Sequence, residues 1–151
     1  MYQIDATDKK IIRLLTENAR ISYLEIARQC GVSGAAIHQR VNKLEQNNVF
    51  KGNEYILNPE VFGFQTCAYV GIFLEKSGMY KDVLKELKNI PEVIESHYTT
   101  GKYAIFIKLF CKDNNHLMEV LNGTIQSING VASTETFISL DQAIQRQISI
   151  Q

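Results

Sequence analysis

The segment "SGAAIHQRVNKLEQ", residues 33–46, concentrates hydrogen-bonding side chains on one side of a helical period. At about 100° per residue, Ile37, Val41 and Leu44 fall within about 60° of one another and face a core. Opposite them lie Ala35, Gln39, Asn42 and Gln46, with His38 and Lys43 on the flanks. Gln, Asn and His can bond base edges in a major groove, and Lys43 and Arg40 can hold phosphates, with packing at the helix flank as the other role open to Arg40. Gly34 and Ala35 keep the first turn small enough for close approach. Ser33 caps that turn, where unpaired amides favour an anion. The candidate DNA-contacting set is therefore Ser33, Gly34, Ala35, His38, Gln39, Arg40, Asn42 and Lys43. A plain solvated helix would also be polar on this side. The preceding turn separates the two readings. Ala27, Gly31 and Ile37 have helix-turn-helix spacing: a small residue for a close crossing, a turn glycine and an apolar anchor. His38 alone carries little weight, because most lone surface histidines ligate nothing.

A second constellation lies in "HYTTGKYAIF", residues 97–106. It reads as strand, tight turn, strand. Gly101 and Lys102 fit the centre of a two-residue type II′ turn, with Gly101 at positive φ. Tyr98, Thr99 and Thr100 precede the turn and Tyr103 follows it; Ser133, Thr134, Glu135 and Thr136 stand at the corresponding place further on. Hydroxyls, turn amides and Lys102 suit a carboxylate, and Glu135 suits an ammonium group. A zwitterion such as a small amino acid matches this chemistry. Thr and Tyr are also ordinary strand formers, so composition alone does not make a site here.

Catalytic chemistry finds no pattern. His38, His97 and His116 lie in separate elements, and no metal spacing, phosphate loop or nucleophile elbow occurs. No cofactor and no metal are expected. Cys30, Cys67 and Cys111 are far apart and odd in number, and read as small buried hydrophobes in a reducing cytoplasm.

The elements that must carry these residues divide the chain in two. Helices are expected over "DKKIIRLLTENA", with Asp8 as N-cap, and over "SYLEIARQC", with Ser22 and Glu25 as a capping box and Leu24, Ala27 and Cys30 turned to the core. The third is the 33–46 helix. "VFKGNEYIL", residues 49–57, has strand composition and suggests a wing. Asn58-Pro59 and Gly63 mark a boundary. The division is 1–58, a linker over 59–64, and 65–151.

Beyond the linker the chain repeats. "IPEVIESHYTT" (90–100) resembles "INGVASTETFI" (128–138), and the offset of 38 residues also aligns "CAYVGIFLE" with "IFIKLFC". Each strand pair is separated by a helical pattern: Val83, Leu84, Leu87 and Ile90, then Leu117, Leu121, Ile125 and Ile128. Two β-α-β units in series predict a ferredoxin-like βαββαβ domain, a four-stranded antiparallel sheet with helices on one face. The fold class is α+β. The segment 141–151, with Ile144, Ile148 and Ile150, is an extra strand or a partner-binding tail.

Charge is balanced, with 16 Lys or Arg against 16 Asp or Glu over 151 residues. The first 58 residues hold eight bases and six acids, the remainder eight and ten, a weak bias towards a DNA-facing N-terminal half. No apolar run approaches the roughly 20 residues of a membrane span, and the polar start "MYQIDATDKK" lacks the pattern of a signal peptide.

The chain resembles the Lrp/AsnC family of transcriptional regulators. The resemblance rests on the Asp8…Ile11 opening, "NARISY", "IA" before Gly31-Val32-Ser33, and Arg40-Val41 followed by Leu44-Glu45. "YTTGKYAIFIK" and "STETFI" resemble the asparagine-responsive branch. The resemblance implies a one-component regulator: a winged-helix-like helix-turn-helix head, and a ferredoxin-like domain that binds a small amino acid and assembles into dimers and rings of dimers. Two departures stand out. Gly34 replaces the proline common at the first helical position, and Ala104 replaces the common aspartate after the turn. The competing expectations are an architectural DNA-binding protein blind to ligand, and an enzyme or carrier using the ferredoxin-like domain.

Overall fold

The structure is a computed structural model that describes residues 2–150. The chain forms two compact units, one from residues up to Ile56 with the tail from Ile144, the other from Leu57–Ala143.

The first unit holds three helices, α1 (Ala6–Glu17), α2 (Tyr23–Cys30) and α3 (Gly34–Gln46). Helix α1 starts earlier than its apolar spacing suggests. Asp5, not Asp8, is the N-cap; its carboxylate accepts the Asp8 amide at 2.7 Å, and Asp8 returns a bond to the Asp5 amide at 3.2 Å. The capping box is thus built from two aspartates. In α2, Ser22 accepts the Glu25 amide, but Glu25 turns its carboxylate to Gln29. Ile26 and Ala27 are the buried positions of α2, and Leu24, expected in the core, is 61% exposed. One residue of slip in a short helix moves a side chain about 100°, enough to invert such an assignment. Gly31, at φ 68°, ends α2 in the left-handed conformation that frees glycine from the Cβ penalty. Ile11, Ile12, Ile26, Ala27, Ile37, Val41 and Leu44 make the core, with Cys30, Val49, Phe50 and Ile150 packed at its edge.

No strand forms over 49–57 among the described residues, and none over 141–150. A strand needs a ladder partner. Within 49–57, Val49 and Phe50 pack against the helical core, and Arg20 donates to the Tyr55 hydroxyl at 3.0 Å and stands over that ring.

The second unit is a four-stranded antiparallel sheet with two helical segments on one face. Its order is β1 (Thr66–Leu74), α4 (Tyr80–Leu87), β2 (Val93–Tyr98), β3 (Ile105–Cys111), α5 (Asn114–Glu119) continuing as a π turn over Val120–Ile125, and β4 (Val131–Ile138). Strand order is β2-β3-β1-β4, with Val70 opposite both Ile107 and Thr136. Ala68, Val70, Ile72, Ile105, Ile107 and Leu109 form the inner face. Val83 and Leu87 of α4, and Leu117, Val120 and Ile125, cover it. The π turn inserts one extra residue, with the Gln126 amide reaching the Leu121 carbonyl at 2.9 Å. It brings Val120 inward and leaves Leu121 and Ile128 only partly buried at the margin.

Cys111 is buried, and burial pushes its thiol up to about 11. It stays protonated and behaves as a packing residue.

Candidate nucleic-acid interface and effector site

Helix α3 presents the exposed face its period predicts. The Ser33 hydroxyl accepts the Ala36 amide at 3.2 Å and fixes the start of the helix. Ile37, Val41 and Leu44 anchor it from below. Above them Ser33, Ala35, His38, Gln39, Asn42 and Lys43 are exposed, and Gly34 is partly buried. A Cβ on Gly34 would meet open space, so close approach by a ligand, not internal packing, is what a bare backbone permits there. His38 leans on the edge of the Tyr23 ring of α2, with centroids 4.5 Å apart. Its ring orientation is therefore set by packing.

Arg40 departs from its expected place. Its Nη1 donates to Asp5 Oδ2 and to Asp8 Oδ1, both at 2.7 Å, instead of pointing outward for a phosphate. The Asp8 side chain is 1% exposed. Its other oxygen accepts the Tyr2 hydroxyl at 2.9 Å and the Asp5 amide. A carboxylate so deeply buried requires a cation and full hydrogen bonding, and Arg40 supplies both. The Asp8 amide and then the Arg40 guanidinium hold Asp5 below the usual carboxylate range, and the Asp8 carboxylate raises the Tyr2 hydroxyl. No spacing rule links residues 35 positions apart, so the sequence carried no signal for this network.

The second constellation is partly assembled and partly separated. β2 ends at Tyr98 and β3 begins at Ile105, with the Thr99 amide bonded to the Ala104 carbonyl at 3.0 Å. The connection is therefore longer than a two-residue II′ turn. Gly101 is absent from the positive-φ glycines, and a Cβ there would meet nothing within 4 Å. The Thr99 hydroxyl donates to the Tyr103 carbonyl and is committed within the turn. Thr100 and Gly101 are exposed.

Strand alternation splits the remaining residues between two faces. Thr134 and Thr136 stand opposite Ile72 and Val70, on the helix side, where Thr134 accepts from Gln126 at 2.8 Å. Tyr98 lies on the same side against Tyr80, with centroids 4.2 Å apart. Ser133 and Glu135 stand opposite Phe73 and Gly71, on the outer face. There Glu135 Oε2 accepts from the Tyr103 hydroxyl at 2.5 Å and from Lys102 Nζ at 2.9 Å. These bonds lower the Glu135 carboxyl and raise Tyr103 and Lys102.

The floor of this cluster is aromatic and carries none of the polar residues that mark its rim. The Tyr103 ring lies over Gly71 and is bordered by Phe73, Phe106 and Phe137 at centroid distances of 5.2, 5.8 and 6.4 Å. Tyr69 continues the aromatic surface beside Phe106. Lys108, in the middle of β3, lies near the Tyr69 and Phe110 rings and reaches Glu95 at 3.8 Å. The signal was present in "CAYVGIFLE": Tyr69, Gly71 and Phe73 alternate with the core residues, and a mid-strand glycine marks close approach.

Both halves match known families. Residues 4–45 match the AsnC-type helix-turn-helix domain, and residues 67–148 match the Lrp/AsnC ligand binding domain. Regulatory protein AsnC of Haemophilus influenzae is 41% identical over 98% of this chain and 99% of its own. The structure of Escherichia coli AsnC superposes with a TM-score of 0.93 at 40% identity, over 97% of this chain and 99% of that one. The feast or famine regulatory protein of M. tuberculosis, solved with L-methionine, gives 0.90 at 25% identity, over 99% of this chain and 100% of that one.

Proposed function

The chain belongs to the Lrp/AsnC family of transcriptional regulators, and we propose that asparagine, held at the 99–104 turn, modulates DNA reading by α3. The observation that carries the DNA half is the exposed face of Gln39, Asn42 and Lys43 above a buried Ile37–Val41–Leu44 anchor. Gln39 and Asn42 read base edges, with His38 at the flank. Lys43 takes a phosphate, and the Ser33–Ala35 turn receives another at the helix start.

The effector half rests on Lys102 and Glu135, which pair with each other at 2.9 Å with side chains 66% and 42% exposed. An exposed pair of this kind is screened by solvent and contributes little to stability, so a zwitterion can replace it at little cost. The ligand carboxylate goes to Lys102, Thr100 and the turn amides beside Gly101, and its ammonium to Glu135 and Ser133. Thr99 and Tyr103 shape the turn. Tyr98, Thr134 and Thr136 belong to the other face and take no part in this pocket.

Self-association uses the outer sheet face. Tyr69, Phe73, Phe106 and Phe137 form an aromatic surface on the sheet face opposite the helices of the second unit. A dimer through this face, and rings of such dimers, would place two DNA-reading heads on one operator. No helix among the described residues is long and apolar enough to cross a membrane, and the proposed place of work is the cytoplasm. The protein acts by binding rather than by catalysis.

The test combines selection and titration. Duplexes are enriched from a random pool with the full chain, and affinity is measured with and without each of the twenty amino acids. Asparagine should stabilise the chain in a thermal melt and change operator affinity. Operator binding that no amino acid alters, with no thermal shift, would leave an architectural DNA-binding protein. Turnover of an added substrate with no effect on DNA would favour the enzyme reading.

A further inference from the structure

We infer that Arg40 is a positioning residue for the DNA-reading helix, docking α3 onto the α1 capping box, and not a phosphate ligand. One nitrogen, Nη1, donates to Asp5 and to Asp8 at 2.7 Å. Both acceptors are the aspartates that open α1 by capping one another. The same pair of carboxylates thus starts one helix and holds the other. Charge-assisted bonds of this length are the strong kind.

The geometry opposes a phosphate role. Swinging the guanidinium out to DNA would break both bonds. It would leave Asp8, 1% exposed, as a buried carboxylate without its cation. Lys43, by contrast, is in no ion pair among the described residues and is exposed. Arg40 sits beside Gln39 and one helical turn before Lys43, at the edge of the outward face. Its tether therefore sets the rotation of α3 about its own axis. The Ile37–Val41–Leu44 contact is apolar and non-directional, and cannot define that rotation as sharply. Base-edge bonds require that rotation to be right; phosphate contacts tolerate more error.

The two roles make opposite forecasts for Asp5→Asn. Asparagine keeps the N-cap of α1, so the helix start survives, while one of the two anchors of Arg40 loses its charge. Full-length wild type, Asp5→Asn and Arg40→Gln are titrated across a salt series against two probes, a duplex enriched with the wild-type chain and a random-sequence duplex. Positioning requires that both variants lose affinity for the enriched duplex, roughly tenfold for Arg40→Gln, while random-duplex binding and both salt slopes barely move. The double variant should lose little beyond Arg40→Gln alone. A folding defect would lower binding to the two probes alike, so the ratio between them is the readout. If Arg40→Gln does not fold, Asp5→Asn carries the test alone. The inference is overturned if Asp5→Asn tightens binding or leaves the ratio unchanged, or if Arg40→Gln flattens the slope by about one phosphate, near 0.9.

Discussion

The ring of Tyr103 lies so close over Gly71 that a Cβ on Gly71 would meet Cγ and Cδ1 of the ring at 2.4 Å. Gly71 is in β1, opposite Phe106 on one side and Glu135 on the other. The missing side chain is what lets the 99–104 turn fold back over the sheet and bring the Tyr103 hydroxyl to Glu135. Gly71→Ala should displace the ring, because ordered neighbours leave it little room. Overpacking of this kind costs about 1–3 kcal/mol, read as a lower midpoint in chemical denaturation. Asparagine affinity, measured by calorimetry, should fall with it. Gly101→Ala should change stability by no more than about 0.5 kcal/mol, since its Cβ enters open space at an ordinary φ. A large loss at Gly101 and none at Gly71 would reverse this account of the turn.

Base reading and phosphate holding on α3 separate by their salt dependence. Gln39→Ala should cost roughly 1–3 kcal/mol on the enriched duplex if its amide reads an adenine, and little on random DNA. Lys43→Ala should weaken both probes and flatten the salt slope by about 0.9. Filter binding or fluorescence anisotropy at several salt concentrations distinguishes the two patterns.

Acid should loosen the first unit partly through Asp5. Its folded pKa lies below the ordinary value, chiefly because its carboxylate accepts the Asp8 amide and then the Arg40 guanidinium. A depressed carboxylate contributes stability that is present in full above the unfolded value, about 3.9, and is lost as the pH falls through the lower folded value. Asp5→Asn should therefore reduce stability at neutral pH while making the far-ultraviolet signal less sensitive to pH below about 4. Parallel acid titrations of the two proteins check this; identical pH slopes would remove Asp5 from the acid response.

Phe137 is 46% exposed on the outer sheet face, at the rim of the aromatic surface around Tyr103. Phe137→Asp should leave the single chain folded, because the helix-side core lies on the opposite face. It should shift the mass seen by light scattering from an assembly towards a monomer, and weaken operator binding as the two heads lose their connection. A wild-type chain that is already monomeric at micromolar concentration would contradict the proposed face.

Local periodicity determined much of this molecule. The positions of Ile37, Val41 and Leu44 fix which side of α3 looks outward, because an α-helix turns through a set angle at every residue. The duplicated pattern around Val93 and Val131 required two β-α-β units, and the observed strand order β2-β3-β1-β4 is the arrangement that packs them as one sheet. Alternation along β4 also determined that Glu135 and Thr134 part company, although a list of polar residues hides it. Tertiary structure alone decided the partners of the long side chains. The helical period puts Arg40 on the flank, where a phosphate role and a packing role are both open to it. Its direction was set by Asp5 and Asp8, brought beside it by the packing of α1 on α3. Residues 49–57 have strand composition but meet no ladder, and composition cannot supply a neighbour. Gly101 took an ordinary φ because the turn is wider than its glycine suggested, while the glycine that mattered was Gly71, where a ring from another strand's approach crosses the backbone. Angles along one element are written in the chain; which atoms meet across elements depends on the packing of the whole unit.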